Sequence, residues 1–227
     1  MPEFHPSQDK DFRTPAGRII LGSFPPYKFT RKDEKEAIEQ EIRSRHFYGN
    51  KINQFWKWYQ QFVDLTLVPE DIESRNKSLE KYDIDVADVI YSCERKGQSA
   101  SDNDLSNRCY HLDFLDFSRN DTVRLLCTSK GVMNEMFFGR NFRKSYPDFS
   151  EDPAASKELA RRIAHAVPGT PIARVFRNTS GKSIEAVALP SPGSPYRSLK
   201  SFGFVGGDAK VFLQGYLKSS FEWFLAK

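Results

Sequence analysis

The sequence predicts an α/β domain built on a mainly parallel sheet. Two observations carry this. Short β-rich runs alternate along the chain with segments of helical periodicity. Two of those runs end in Pro/Ser-rich loops, GSFPP at 22–26 and LPSPGSPYRS at 189–198. In open parallel sheets, ligands bind beyond the carboxyl ends of the strands, so both loops are expected at one edge, facing one crevice. The bulk is sufficient for a core: 227 residues, 39% hydrophobic and 14% aromatic.

Residues 1–16 read as a polar tail and 17–227 as a single domain. RIILGSF (18–24) is a strand that must stop at Pro25-Pro26. KDEKEAIEQEIRSR (32–45) is a charged helix with a thin apolar side. NQFWKWYQQFV (53–63) is a helix whose Phe55, Trp56, Tyr59, Phe62 and Val63 share helical spacing. Trp56 and Trp58 point apart on it, so Trp58 is expected off the core face and partly exposed. IDVADVIYS (84–92) and TVRLLCTS (122–129) are further strands. VMNEMFFGRNF (132–142) and SKELARRIAHAV (156–167) are helices, the second ending before Pro168-Gly169. IARVFRN and SIEAVALP flank a turn at 179–182 as a hairpin. DAKVFLQGYLKSSFEWFLAK closes the chain as a helix.

Several chemistries lack their motifs. GKS at 181–183 resembles the end of a phosphate loop, but Phe176 stands where the glycine is required, and a hairpin turn is the better reading. There is no GxGxxG, HExxH or GxSxG. His5, His46, His111 and His165 show no metal-like spacing, so no metal and no organic cofactor is expected. Cys93, Cys109 and Cys127 form no CxxC pair and fit reduced thiols in a cytoplasm. No apolar run is long enough for a membrane span, and the first residues have no signal-peptide core. The net charge of +4 is compatible with a polyanionic partner and is weak evidence for one.

Four segments, in order, resemble the uracil-DNA glycosylase superfamily, closest to its hypoxanthine-type (family 6) and mismatch-specific uracil/thymine branch. LGSFPP resembles the first motif, Gly-Ser-Met-Pro-Gly. Phe47-Tyr48 followed by Asn53-Gln54-Phe55-Trp56 resembles the aromatic pair and Asn-x-Phe-Trp. ADVIYSCERKGQSASD (87–102) resembles a Trp-Asp-Val…Cys-x-Arg-x-Gly-Ser…Asp segment. LPSPGSP (189–195) is similar to Leu-Pro-Ser-Thr-Ser-Pro. The resemblance spans roughly residues 18–200. It implies a three-layer α/β/α fold with a mainly parallel central sheet of about four strands. It also implies a monomeric, monofunctional glycosylase acting on DNA that contains a damaged or mismatched base; the alternatives are a catalytically inactive nucleic-acid-binding protein of the same fold and a nucleoside or nucleotide hydrolase. The chain departs from the family at Pro26, in place of glycine, at the extra Gly193, and over 143–183, which has no match.

Such an enzyme cuts the bond from a base to the sugar C1′ through an oxocarbenium-like transition state. The base must first leave the duplex for a snug pocket. Asn53 is the candidate catalytic side chain: its carbonyl would orient water and its NH₂ would hold the base or sugar. A helix N-cap is the competing role, and the two can coexist. Asp88 either orders the pocket, acts as a second catalytic group, or is a structural hydrogen-bonding residue. The amides of Ser23 and Phe24 would bond the base carbonyl, with Gly22 allowing close approach. Phe24, Phe47 and Tyr48 are candidates for stacking on the base, with core packing the alternative. Ser191, Pro192, Gly193 and Ser194 form a stiff loop suited to phosphate, Tyr196 a wedge for the vacated stack, and Arg197 a local positive charge. A solvated proline loop is the alternative there.

Overall fold

The computed structural model describes residues 2–5, 14–25, 30, 53–97, 102–138, 140–164 and 171–226. The expected helix over 32–45, and Pro26, Phe47, Tyr48 and Asn50, lie outside the described residues. The elements in chain order are β1 (Glu3–Phe4), β2 (Arg18–Gly22), α1 (Phe55–Phe62), α2 (Ile72–Lys81), β3 (Ile84–Asp88), β4 (Ile90–Arg95) and β5 (Leu105–Tyr110). They continue with β6 (Thr122–Cys127), α3 (Lys130–Phe137), α4 (Arg140–Ser145), β7 (Ser150–Glu151), α5 (Pro153–Ile163), β8 (Ala173–Arg177), β9 (Ser183–Ala188) and α6 (Ala209–Leu225). A 3₁₀ segment, Pro195–Phe202, links β9 to α6.

The chain is a mixed α/β protein. Its larger sheet has six strands in the order β3-β2-β6-β9-β8-β7. The pairings from β3 to β9 are parallel, and those of β8 with β9 and β7 with β8 are antiparallel. The sheet is therefore not wholly parallel, and it is wider than the expected four strands. The hairpin is the cause. Asn178 Oδ1 accepts the Ser180 and Lys182 N–H groups at 3.1 and 2.8 Å, and Gly181 takes φ 85°, which reverses the chain directly. A strand returned by so short a turn must pair antiparallel. GKS is part of this hairpin.

The central strands are apolar on both faces, as parallel strands covered on each side require. Ile19, Ile20 and Leu21 of β2, and Leu125, Leu126 and Cys127 of β6, are all fully buried. The run 84–92 does not stay one strand. Beyond Gly22 the partner chain turns away at Ser23, and only the Gly22 and Ser23 carbonyls still receive the N–H groups of Val89 and Ile90. With no further ladder to follow, the chain leaves the large sheet at Val89 and starts β4, which pairs antiparallel with β5 and with β1 in a separate three-stranded sheet.

Capping residues set the helix starts. Ser129 accepts the Val132 N–H, so α3 begins at Lys130, ahead of the expected position. Asp152 accepts the Ala155 N–H with Pro153 in the first turn, so α5 also starts early. Arg18 ties the last helix to the sheet: its guanidinium donates to the carbonyls of Tyr82, Phe224, Leu225 and Ala226 at 3.0–3.3 Å. Those are carbonyls at two helix ends, Tyr82 being the C-cap of α2 and Ala226 that of α6, where a cation is also favoured by the helix dipole.

Trp58 is buried, at 5% exposure, contrary to its expected exposed position. At 100° per residue, Trp58, Phe55, Tyr59 and Trp56 span an arc of about 160°. The two tryptophans do point apart, but the buried arc of α1 is wide enough to hold both. Lys57, on the opposite side, is exposed.

Candidate active site

Four strands end at one level. Gly22 pairs with Asp88, Leu21 with Cys127, and Cys127 with Ala188. Past that level the backbones stay stitched together: Thr128 N–H and hydroxyl both donate to the Leu21 carbonyl, and Leu189 N–H donates to the Cys127 carbonyl at 2.7 Å. GSF and LPSP therefore leave the sheet from its carboxyl edge. The helix-start segment joins them, because the Gln54 N–H donates to the Pro192 carbonyl at 3.1 Å. Asn53, Gly22, Ser23, Asp88 and Pro192 are thus brought to one edge of the fold.

Around GSF lies a largely buried polar cluster. Asp88 and His5 are each 6% exposed at the side chain, and the His5 Nε2 lies 3.1 Å from Asp88 Oδ2. The Ser23 hydroxyl donates to Asp102 Oδ1 at 3.0 Å. Burial pushes the Asp102 carboxyl above the usual carboxylate range; the Ser23 hydrogen bond and the charge of Arg108 oppose this, and the charge of Asp88 adds to it. Arg95 is paired with Glu3 at 3.0 Å and donates to the Pro25 carbonyl at 2.8 Å. Its guanidinium lies 5.7 Å from the Phe24 ring, and the His5 ring stands edge-on to Phe24 at 6.3 Å. Phe24 is buried in this arrangement. The Gly22 and Ser23 carbonyls accept the Val89 and Ile90 N–H groups, whereas the amide N–H groups of Ser23 and Phe24 have no acceptor among the described residues.

Asn53 is half-buried, and its Oδ1 accepts the Phe55 N–H at 2.9 Å. That bond is an Asx turn that satisfies the first N–H of α1, one residue ahead of the N-cap Gln54. A carbonyl oxygen carries two lone pairs, so one acceptor position on Oδ1 remains. In the late loop, Pro192 is buried, Ser191 and Ser194 are half-buried, and Gly193, Tyr196 and Arg197 are exposed. Ser194 N–H donates to the Ser191 carbonyl and Arg197 N–H to the Ser194 carbonyl, which holds the loop as consecutive turns. Tyr196, at 56% exposure, is among the few large aromatics presented to solvent.

The structure adds three residues that sequence reasoning passed over. His5 sits in a stretch that reads as a polar tail, with no local signal of burial. Asp102 closes the 87–102 motif, but its contact with Ser23 joins residues 79 positions apart. Lys130 follows β6; burial lowers its amine to about 8, its Nζ donates to the Ser201 carbonyl, and it lies 4.7 Å from the Phe202 ring. Only the TSKG step after a strand could have pointed to it. Among the described residues, no group of three or more His, Cys, Asp or Glu side chains is arranged to hold a metal, and no helix is long and apolar enough to cross a membrane. No model of a known protein family matches the chain, and neither a curated protein nor a solved structure does.

Proposed function

We propose that the chain is a monofunctional DNA glycosylase of the uracil-DNA glycosylase superfamily. It would hydrolyse the N-glycosidic bond of a deaminated base, such as uracil or hypoxanthine, flipped out of DNA. In this reading the six-stranded sheet is the middle layer of an α/β/α sandwich, and the protein works as a cytoplasmic monomer. One observation carries the reading. Segments distant in sequence that each resemble a family motif meet at one strand edge, joined by the Gln54–Pro192 hydrogen bond and the Gly22–Asp88 register.

The chemistry follows from the groups there. The Ser23 and Phe24 amides supply donors for the departing base as negative charge develops on its carbonyl. Asp88 supplies a carboxylate near the cationic sugar, and His5 holds that carboxylate in place. The free acceptor position on Asn53 Oδ1 orients the water that attacks C1′ after the base leaves. The 191–197 loop grips phosphates, and Tyr196 fills the gap in the stack. A second reading is favoured by one observation: the Asn53 amide oxygen already holds the first N–H of α1 in a turn. Under it, the protein keeps the fold and binds nucleic acid without cleaving it.

The deciding experiment uses labelled duplexes with a single uracil, hypoxanthine, xanthine or mismatched thymine, followed by alkali to cut abasic sites. The glycosylase reading expects base release from at least one duplex. DNA binding with no release from any of them leaves the non-catalytic reading.

A further inference from the structure

A cavity of about 730 Å³ lies between the α3–α4 pair and the β7–β8 edge. It belongs to the stretch 143–183 and its surroundings, where no motif resemblance reaches. Phe176, in its wall, pairs with Ile184 near the amino end of β9, whereas the candidate active site lies beyond Ala188 at the other end of that strand. The two sites are therefore separate.

The wall combines aromatic faces with guanidinium groups. Phe137 stacks on Phe176 at 4.6 Å and forms an apolar floor. Phe138, 60% exposed, stands at the rim with the Arg174 guanidinium 4.6 Å from its ring. Arg174 is buried, at 8% exposure; its Nη1 donates to Glu151 at 2.9 Å, and its buried Nε has no hydrogen-bond partner among the described residues. Arg140 and Arg143, three positions apart on α4, add two exposed cations to the same cavity. Three arginines against the single carboxylate of Glu151 leave a surplus of two positive charges.

We infer that this cleft binds a small phosphate monoester carrying a flat ring, of the mononucleotide class. The volume lies within the range of small-molecule sites, roughly 300–1,000 Å³, and such sites pair an apolar lining with a few polar anchors. A phosphate monoester carries about −1.5 to −2 charges at neutral pH, which matches the surplus of two better than a carboxylate does. Arginine forks suit its oxygens. The exposed face of Phe138 supplies the stacking surface for the ring. The inference does not depend on glycosylase activity.

Isothermal titration calorimetry on the full chain tests it, with adenosine 5′-monophosphate, adenosine and inorganic phosphate as probes. The monophosphate is expected to bind at least about tenfold more tightly than either fragment, since neither carries both the ring and the charge. Phe138→Ala and Arg143→Ala change exposed side chains, so the fold is retained, and each is expected to weaken binding about tenfold. Asn53→Ala is expected to leave it unchanged. Undetectable binding at millimolar monophosphate overturns the inference. So does inorganic phosphate binding as tightly as the monophosphate, and so does binding that survives Arg143→Ala but is lost in Asn53→Ala.

Discussion

At the scale of single residues, the proposed glycosylase reading gives Asn53 a role in the reaction beside its structural one, and different substitutions separate the two. Its Oδ1 holds the first N–H of α1 in an Asx turn, and a serine hydroxyl can make the same turn, more weakly, but lacks the amide. Asn53→Ser should therefore lower the melting temperature only slightly and lose base release by about 10²–10³-fold, the loss expected for an oriented polar group at a reacting centre. Asn53→Ala should lose the same activity and, with the turn hydrogen bond gone, about 1 kcal/mol of stability. Full activity in the serine variant would leave Asn53 as a turn-forming residue alone. Asp64 makes the complementary point for a residue far from chemistry. It is buried, and its carboxylate accepts from the Thr66 hydroxyl at 2.6 Å and the Ser78 hydroxyl at 2.7 Å. Those hydrogen bonds hold its carboxyl down at about 2, against the cost of burial. A depressed carboxylate stabilises the fold fully above the ordinary carboxylate range, and that stabilisation is lost as pH falls through the folded value. Asp64→Asn should thus cost on the order of 2 kcal/mol at pH 7. The gap to the parent should narrow as pH falls from about 4 toward 2, as denaturant melts at each pH would record.

At the scale of elements, α1 was legible because its apolar positions recur with helical spacing, and its role as an anchor follows from that. Phe55 is fully buried and touches Trp56, Tyr59 and Phe221 of α6 through ring contacts. What periodicity could not supply was the width of the buried arc, because that depends on what packs from outside the helix. Phe55→Ala and Trp58→Ala should each cost about 3–5 kcal/mol, whereas Lys57→Ala should change stability by no more than about 0.5. A Trp58→Ala variant as stable as Lys57→Ala would return Trp58 to the surface. The strands show the same division. β2, β6 and the β8–β9 hairpin were legible from apolar runs and turn residues. β5, α2 and the break at Val89 were not. LSNRCY (105–110) has no apolar alternation to mark a strand, and the break in 84–92 is imposed by the turn of another chain segment at Ser23.

At the scale of the whole molecule, the carboxyl edge was readable from the two loops that end strands, since parallel strands separated by helices bring such loops together. The support behind that edge was not readable, because it comes from contacts between residues 83 and 92 positions apart. Glu3–Phe4 adds a strand to β4, and the same few residues place Glu3 on Arg95 and His5 on Asp88. Arg95 is 1% exposed at the side chain, so its charge is held in a place where loss of the partner carboxylate is costly. Glu3→Gln should therefore destabilise the protein by on the order of 3 kcal/mol, although Gln is isosteric and the strand can still pair. His5→Ala leaves that ion pair intact and takes away only the group that holds Asp88. It should lower base release while moving the melting temperature less than Glu3→Gln does. Removing residues 1–5 combines both losses and also uncovers the edge of β4, so it should give the lowest melting temperature of the three and no base release. Thermal melts of the three variants beside the duplex cleavage assay test the scheme. A truncated chain that melts with the parent and still releases base would show that the carboxyl edge is built without its amino-terminal strand, and that Asp88 needs no histidine to hold it.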